Sequence, residues 1–315
     1  MKLSTAVNGY LLFAKTKYAA ATVSHYEQTL QNVIVHLHDP EIERISVEDL
    51  QKYFIYLRTE YKPFKFRHIG EKPTLMTEAG VEGYWKAIRS FYKWAEANLN
   101  AKRPDKFIPQ PKYKMDVVRA FSKEEMKKLI YFAEWVPQVK SETKQSYRMH
   151  RSTYKRDVAL VKFMIDTGLR VGEICRVKIS DVDLETGSVN VAAFGSGQKT
   201  KPRTVYIGKS ARQSMWLYLA NTSRNKDEPL FDTTENNIRK LVKSIGEKAG
   251  VENCHPHRFR HTFAIEFLRN NRDPFSLMRL LGHSDLEMSN HYLEILDSDL
   301  AHFHYSASPV DNIKM

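Results

Sequence analysis

One tyrosine, two arginines and a set of spaced histidines and lysines are the residues of this chain whose types could do chemistry together. A guanidinium is permanently charged and forked, so it grips phosphate oxygens in pairs. A phenol oxygen can attack and stay covalently attached, and an imidazole or an ammonium can hand over a proton. Such a set suits a phosphodiester, whose negative charge repels nucleophiles. Breaking it needs cations on the non-bridging oxygens, a nucleophile in line and a proton for the departing oxygen. Arg170 and Arg260 are the candidate cations, Tyr292 is the candidate nucleophile, and a Lys or a His is the candidate proton donor. A phosphotyrosine link would retain the energy of the broken bond, so strands could be rejoined with no nucleotide cofactor. No metal or nucleotide motif is needed, and the sequence carries none.

The elements that must position these groups centre on residues 254–296, CHPHRFRHTFAIEFLRNNRDPFSLMRLLGHSDLEMSNHYLEIL. Pro256 suits a first helical turn. His257, Arg260, His261 and Ala264 then recur at helical spacing, with Phe259, Phe263 and Phe267 on the neighbouring face, which predicts a packing stripe beside a polar one. Asn270, Asn271 and Asp273 before Pro274 end that helix. A second runs to Leu281, where Gly282 stops it in the left-handed conformation and His283 follows in the turn. Ser284 with Glu287 forms a capping box for a third helix, which carries Tyr292 on its third turn, able to look back toward His257 and Arg260. Upstream, an apolar helix over 157–167 ends at Gly168 and another begins at Gly172, which puts Arg170 in the tight turn between them. Residues 189–194 and 203–207 are strand-like with 195–202 between them, so a β-hairpin is expected whose tip holds Lys199 and Lys201.

The first hundred residues read as wholly helical. Apolar spacing of three and four covers 3–16 and 22–37, a Ser46/Asp49 box opens a helix to Arg58, and the longest helix starts at Thr77 with Val81, Trp85, Ile88, Tyr92 and Ala95 in one stripe. Residues 59–76 interleave Lys62, Lys65 and Arg67 with Tyr61, Phe64 and Phe66. That pattern suits a loop on a nucleic-acid backbone as well as a solvated loop pinned by aromatics. Pro104, Pro109 and Pro111 among charges mark 101–113 as a linker between domains. Residues 140–156, with Arg148, Arg151 and Lys155, form a basic, helix-poor segment that reads either as a DNA-facing insertion or as an ordinary loop. Arg203 joins the same backbone-contacting set. The domain expectation is a helical 1–105, a linker over 106–118, and a mixed α+β 119–315 ending in a tail.

At 315 residues and 42% hydrophobic there is room for two cores. A formal charge of +12 and a pI near 9.4 point to an acidic macromolecular partner, nucleic acid first and an anionic membrane surface second. Lys and Arg exceed Asp and Glu on both sides of residue 110, which excludes a single basic tail. Cys175 and Cys254 are too few for a disulfide framework and are not spaced as a metal knuckle, which fits a reducing cytoplasm. Asn8 and Gly9 interrupt the apolar start, so neither an export signal nor a membrane span is expected.

Four pieces in order, TGLRVGE at 167–173, HPHRFRHTFA at 255–264, LGH at 281–283 and HY at 291–292, resemble the motif boxes of the tyrosine recombinases. That family holds phage and transposon integrases and Xer-type resolvases. Each box is weak alone; the order, the spacing and the hairpin between the first two make the joint match specific. Residues 1–105, with AIRSFYKWA at 87–95, resemble the family's helical core-binding domain, so the resemblance covers most of the chain. It implies a mainly α fold: an all-helical, SAM-like N-terminal domain and a mixed α+β catalytic domain with a small β-hairpin.

Carried over residue by residue, the resemblance makes Arg170 the first arginine of the phosphate clamp and Glu173 its supporting acid. His257 and Arg260 match the H-x-x-R box, His283 the second histidine and Tyr292 the nucleophile. The hairpin lysine departs from the pattern. Ser196 stands where many relatives place it, so the general acid falls to Lys199 or Lys201, with Lys199 favoured and Lys201 in support. The implied activity is a site-specific DNA strand transfer through a 3′-phosphotyrosyl intermediate. It would run without cofactor or metal, with two domains closing as a C-shaped clamp on duplex DNA that carries specific recombination sites. The resemblance also implies a homotetramer on two sites working through a Holliday junction, a monomer when free, accessory DNA-bending proteins as further partners, no membrane, and a prokaryotic cytoplasmic setting at the nucleoid. Two rivals come from other classes. A type IB topoisomerase would share the chemistry, and a catalytically idle DNA-binding regulator, reading through a helix-turn-helix over 275–296, would share only the electrostatics. His257 and His261 at i and i+4 suggest a zinc pair, yet no Glu lies between them and no third ligand is spaced for it.

Overall fold

The computed structural model describes residues 1–63, 74–113, 119–136, 149–194, 201–220, 223–271 and 273–282. The chain divides into two compact units, Met1–Asp116 and Val117–Met315.

The first unit is helical: α1 (Leu3–Lys17), α2 (Ala20–Leu37), α3 (Val47–Thr59) and α4 (Glu78–Leu99). Two of the starts are the local caps expected. The Ser46 hydroxyl accepts from the Asp49 amide at 3.2 Å while the Asp49 carboxylate accepts from the Ser46 amide at 2.8 Å, and Thr77 Oγ1 accepts from the Gly80 amide at 3.2 Å. The apolar stripes meet in a core of Tyr10, Leu50, Tyr53, Leu57, Ile88 and Phe91, with Tyr10 edge-on to Phe91 at 5.7 Å. Each such side chain stabilises the fold by about 1.5–3 kcal/mol on burial. The stretch expected to be a linker differs. Ala101 and Ile108 are buried in this core, Trp85 Nε1 donates to the Ile108 carbonyl at 3.0 Å, and Arg103 forks onto the buried Asp105 at 2.6 and 2.7 Å. Residues 101–108 therefore belong to the first unit, because Pro104 opens a short 3₁₀ turn at Pro104–Phe107 that packs.

The second unit carries α5 (Lys123–Glu134), β1 (Trp135–Val136), β2 (Met149–His150), α6 (Tyr154–Thr167), α7 (Val171–Ile174), β3 (Ser188–Val191), β4 (Arg203–Tyr206), α8 (Lys209–Leu219), α9 (Glu235–Ala249), α10 (Pro256–Asn271) and α11 (Pro274–Leu281). Its described strands form two antiparallel pairs, β1 with β2 and β3 with β4, the latter in register from Ser188 opposite Tyr206 to Val191 opposite Arg203. This is the expected hairpin; its tip over 195–200 lies outside the described residues. Val189, Val191 and Val205 alternate inward, and α6 packs against α5, α8 and α10. Ser122 and Glu125 form the expected box at the start of α5.

Helix α6 begins at Tyr154, three residues ahead of the expected start. The reason is Asp157, which is fully buried and collects Thr153 Oγ1 at 2.7 Å, Arg156 Nη2 at 2.9 Å and Arg151 Nε at 3.3 Å. No described helix is long and apolar enough to cross a membrane.

Candidate active site

Helix α6 ends at Gly168, whose φ of +57° closes the last turn. A Cβ there would stand 2.5 Å from the Phe263 ring, so a side chain is excluded by conformation and by space. Leu169 is buried, and Arg170 then turns outward as the residue that opens α7. The Glu173 carboxylate reaches back to the Arg170 amide at 2.9 Å and to its Nη1 at 3.4 Å. About a third of the Arg170 side chain stays exposed, whereas Glu173 is 1% exposed.

Glu173 has a second cation. Arg203, from β4, donates Nη2 at 2.8 Å and Nη1 at 3.2 Å to the same carboxylate. Burial raises the Glu173 pKa, but the bonds and charge of Arg203, followed by those of Arg170, outweigh it and leave the pKa below the usual glutamate value. The carboxylate is ionised at neutral pH.

Arg260 sits on α10 only 4% exposed, not on a polar surface stripe. Its Nη1 donates to the Gly168 carbonyl at 2.9 Å and its Nη2 to the Leu281 carbonyl at 2.8 Å, which joins the C-terminal ends of α6 and α11. Both ends carry partial negative charge, so a cation is favoured there. The packed stripe of α10 is Phe259, Thr262, Ala264, Ile265 and Leu268; Phe263 and Phe267 are only partly covered.

His257 lies one turn before Arg260, open to solvent on one side, its ring centre 6.2 Å from that of His261. Its pKa falls below 6.5 through partial burial first, then through the charge of Arg260, with smaller contributions from His255, Arg170 and Arg239. The imidazole is neutral at pH 7. The bond from Arg260 to the Gly168 carbonyl puts it beside the turn that carries Arg170, with His257 one turn earlier on α10, although the two segments are far apart in sequence. Helix α11 opens on Asp273, which accepts from the Phe275 and Ser276 amides, and closes on Gly282 at φ +66°; His283 is the next residue.

The structure thus brings together Arg170, Glu173, His257 and Arg260, with Lys201 two residues before Arg203 and its carbonyl accepting from Arg203 Nη1 at 3.4 Å. Lys199, His283 and Tyr292 lie outside the described residues, as do Lys65, Arg67 and Arg148. Lys62 is exposed on the first unit, and Lys155 is half-buried on the first turn of α6. Two arginines expected to meet a nucleic-acid backbone are placed otherwise. Arg203 is 7% exposed and bound to Glu173, and Arg151 is 18% exposed and bound to Asp157, because each has a buried carboxylate to neutralise.

Sequence reasoning also missed two arginines. Arg258 is buried against Glu125 at 3.1 Å and the Arg119 carbonyl at 2.9 Å, with its guanidinium 4.1 Å from the Phe121 ring centre; nothing local separates it from Arg260 two residues on. Arg239, on α9, pairs with Glu235 at 2.9 Å and reaches His257 by its charge. The basic run Arg239, Lys240 and Lys243 was its signal. Among the described residues no group of His, Cys, Asp or Glu is placed to hold a metal.

Arg170, Arg260, a His257 whose pKa is lowered and the buried Glu173 thus lie in the second unit of a mainly helical, two-unit chain. Residues 120–298 match the phage integrase family, more than half of the chain, and the chain belongs to that family. It is a tyrosine recombinase, an enzyme of site-specific DNA recombination. The tyrosine recombinase XerC of Staphylococcus saprophyticus subsp. saprophyticus is 25% identical over 313 residues, covering 95% of each chain. The tyrosine recombinase XerA of Thermococcus kodakarensis is 29% identical over 218 residues, covering 67% of this chain and 68% of that one. A lambda integrase dimer bound to a COC′ core site shares the fold with a TM-score of 0.66 at 16% identity, over 91% of this chain and 97% of that one. The expected mainly α fold with small two-stranded sheets is therefore the fold observed.

Proposed function

We propose that the chain cleaves and rejoins duplex DNA at specific recombination sites through a 3′-phosphotyrosyl intermediate on Tyr292. The observation that carries this reading is the convergence of Arg170, Arg260 and the neutral His257 beside the helix end that leads into His283. Arg170 and Arg260 offset the charge on the non-bridging oxygens as it builds, and His257 and His283 add hydrogen bonds to the same oxygens. The Tyr292 phenol passes its proton to the neutral His257 as its oxygen bonds to phosphorus, the bond to the 5′ oxygen breaks, and that oxygen takes a proton from Lys199. Attack by the 5′ hydroxyl of a second strand reverses the step and leaves the strands exchanged.

Residues 1–108 act as a core-binding domain and 119–315 as the catalytic domain, joined over 109–118. Lys62, Lys65, Arg67, Arg148 and Lys155 contact the backbone, in keeping with the net charge of +12. Four protomers on two sites exchange strands in two steps through a Holliday junction; the lambda integrase dimer on its core site supports assembly on DNA.

The test starts from a pool of nicked duplexes with a randomised centre, from which retained duplexes are selected. A nick lets the short cleaved end diffuse away, so wild type accumulates as a covalent adduct on a denaturing gel. Tyr292→Phe should retain the same duplexes and form no adduct. Adduct in the variant would move the nucleophile elsewhere. Adduct in wild type without joining of two sites would favour a topoisomerase.

A further inference from the structure

Arg203 was expected on the DNA backbone, yet its side chain is 7% exposed. Besides its bond to the Lys201 carbonyl, its side chain reaches three places. Nη1 and Nη2 fork onto Glu173, which in turn holds the Arg170 amide and Nη1. Nε donates to the Leu280 carbonyl at 2.7 Å, in the last turn of α11. The guanidinium also fills the space under Gly282, where a Cβ would stand 2.9 Å from Nη1 and 3.1 Å from Cζ. Arg260 meanwhile holds the next carbonyl, that of Leu281. Two adjacent carbonyls at the end of one helix are thus held by arginines from two other elements.

We infer that Arg203 is a positioning residue for strand cleavage, fixing the hairpin, the Arg170 turn and the end of α11 against one another. This inference rests on the proposed roles of Arg170, His283 and the hairpin lysine. Arg203 stands in β4 two residues after Lys201, so its anchoring sets where the hairpin leaves the domain. Through Glu173 it orients Arg170, and through Leu280 it fixes the point from which the chain continues into His283. Only a fork reaches all three. A carboxylate takes two parallel N–H donors from one guanidinium while the third nitrogen points away, a geometry an ammonium cannot reproduce.

Arg203→Lys keeps the charge and removes the fork, which makes it the informative variant. On the duplex selected with wild-type protein, Arg203→Lys should be retained within about twofold and with an unchanged salt slope, because the side chain touches no phosphate. Its single-turnover rate of adduct formation should fall about 100-fold, the cost of misplacing reacting groups by about 1 Å. Arg203→Lys combined with Glu173→Gln should be no slower than the slower single variant, since both act through one ion pair. All rates are taken below the melting transition of each protein, so a purely structural role would leave the rate per folded molecule unchanged and would overturn the inference. Weaker retention with a salt slope lower by about one would make Arg203 a backbone contact instead. Should Arg203→Lys not fold, Glu173→Asp, which shortens the carboxylate and keeps its charge, should show the same split between retention and rate. An equal wild-type and Glu173→Asp rate would then overturn it. If wild type itself forms no adduct, the proposed cleavage chemistry fails and the inference with it, an outcome distinct from equal rates in wild type and variant.

Discussion

Glu173 decides the charge balance of the site. It is 1% exposed, and its pKa is pushed up by burial and then pulled lower overall by Arg203 and Arg170. A carboxylate whose folded pKa is depressed contributes stability above its unfolded value, about 4.3, and loses it as pH falls from there through the folded value. Glu173→Gln leaves Arg203 buried with a neutral partner and should cost about 3–5 kcal/mol at pH 7. The gap between wild type and variant in urea unfolding should narrow as pH falls through and below 4.3. A gap that stayed constant would locate the loss outside the ion pair. The types and order of Arg170, Glu173, His257 and Arg260 were legible in the sequence because their spacing is local to two short motifs. Their burial was not. Arg260 and Arg203 look like any other surface arginine until the distant carbonyls of Gly168, Leu280 and Leu281 are brought to them by packing.

Elements were legible wherever a local signal closes them. Ser46, Thr77 and Ser122 cap the helices expected of them, and Gly168 and Gly282 end theirs at positive φ. The signal failed where the deciding partner is elsewhere in the unit: residues 101–108 look like a linker until Trp85 and the first core hold them. The hairpin belongs to the first kind, and its lysines set the sharpest prediction at this scale. If Lys199 protonates the departing 5′ oxygen, Lys199→Ala should cleave ordinary DNA about 10²- to 10⁴-fold more slowly. Sulfur in place of that bridging oxygen leaves as a thiolate and needs little proton donation, so the variant should recover on the bridging phosphorothioate duplex. Lys201→Ala should show a smaller defect and no selective rescue. The reverse pattern would shift the general acid to Lys201, and rescue of neither would move it off the hairpin to His257.

At the scale of the whole molecule, composition and charge narrow the partner to an acidic macromolecule, the motif order narrows the chemistry, and the match over residues 120–298 fixes the family. The two units have separate cores, each built from its own stretch of chain, which is why both could be read from sequence in turn. The central claim is that Tyr292 becomes bonded to the DNA that the two arginines hold. The most direct measurement is to trap the adduct on the selected nicked duplex, digest it with nuclease and protease, and sequence the nucleotide-bearing peptide by mass spectrometry. The nucleotide should sit on Tyr292, attached through its 3′ phosphate. A nucleotide on any other residue, or one attached through a 5′ phosphate, would contradict the account.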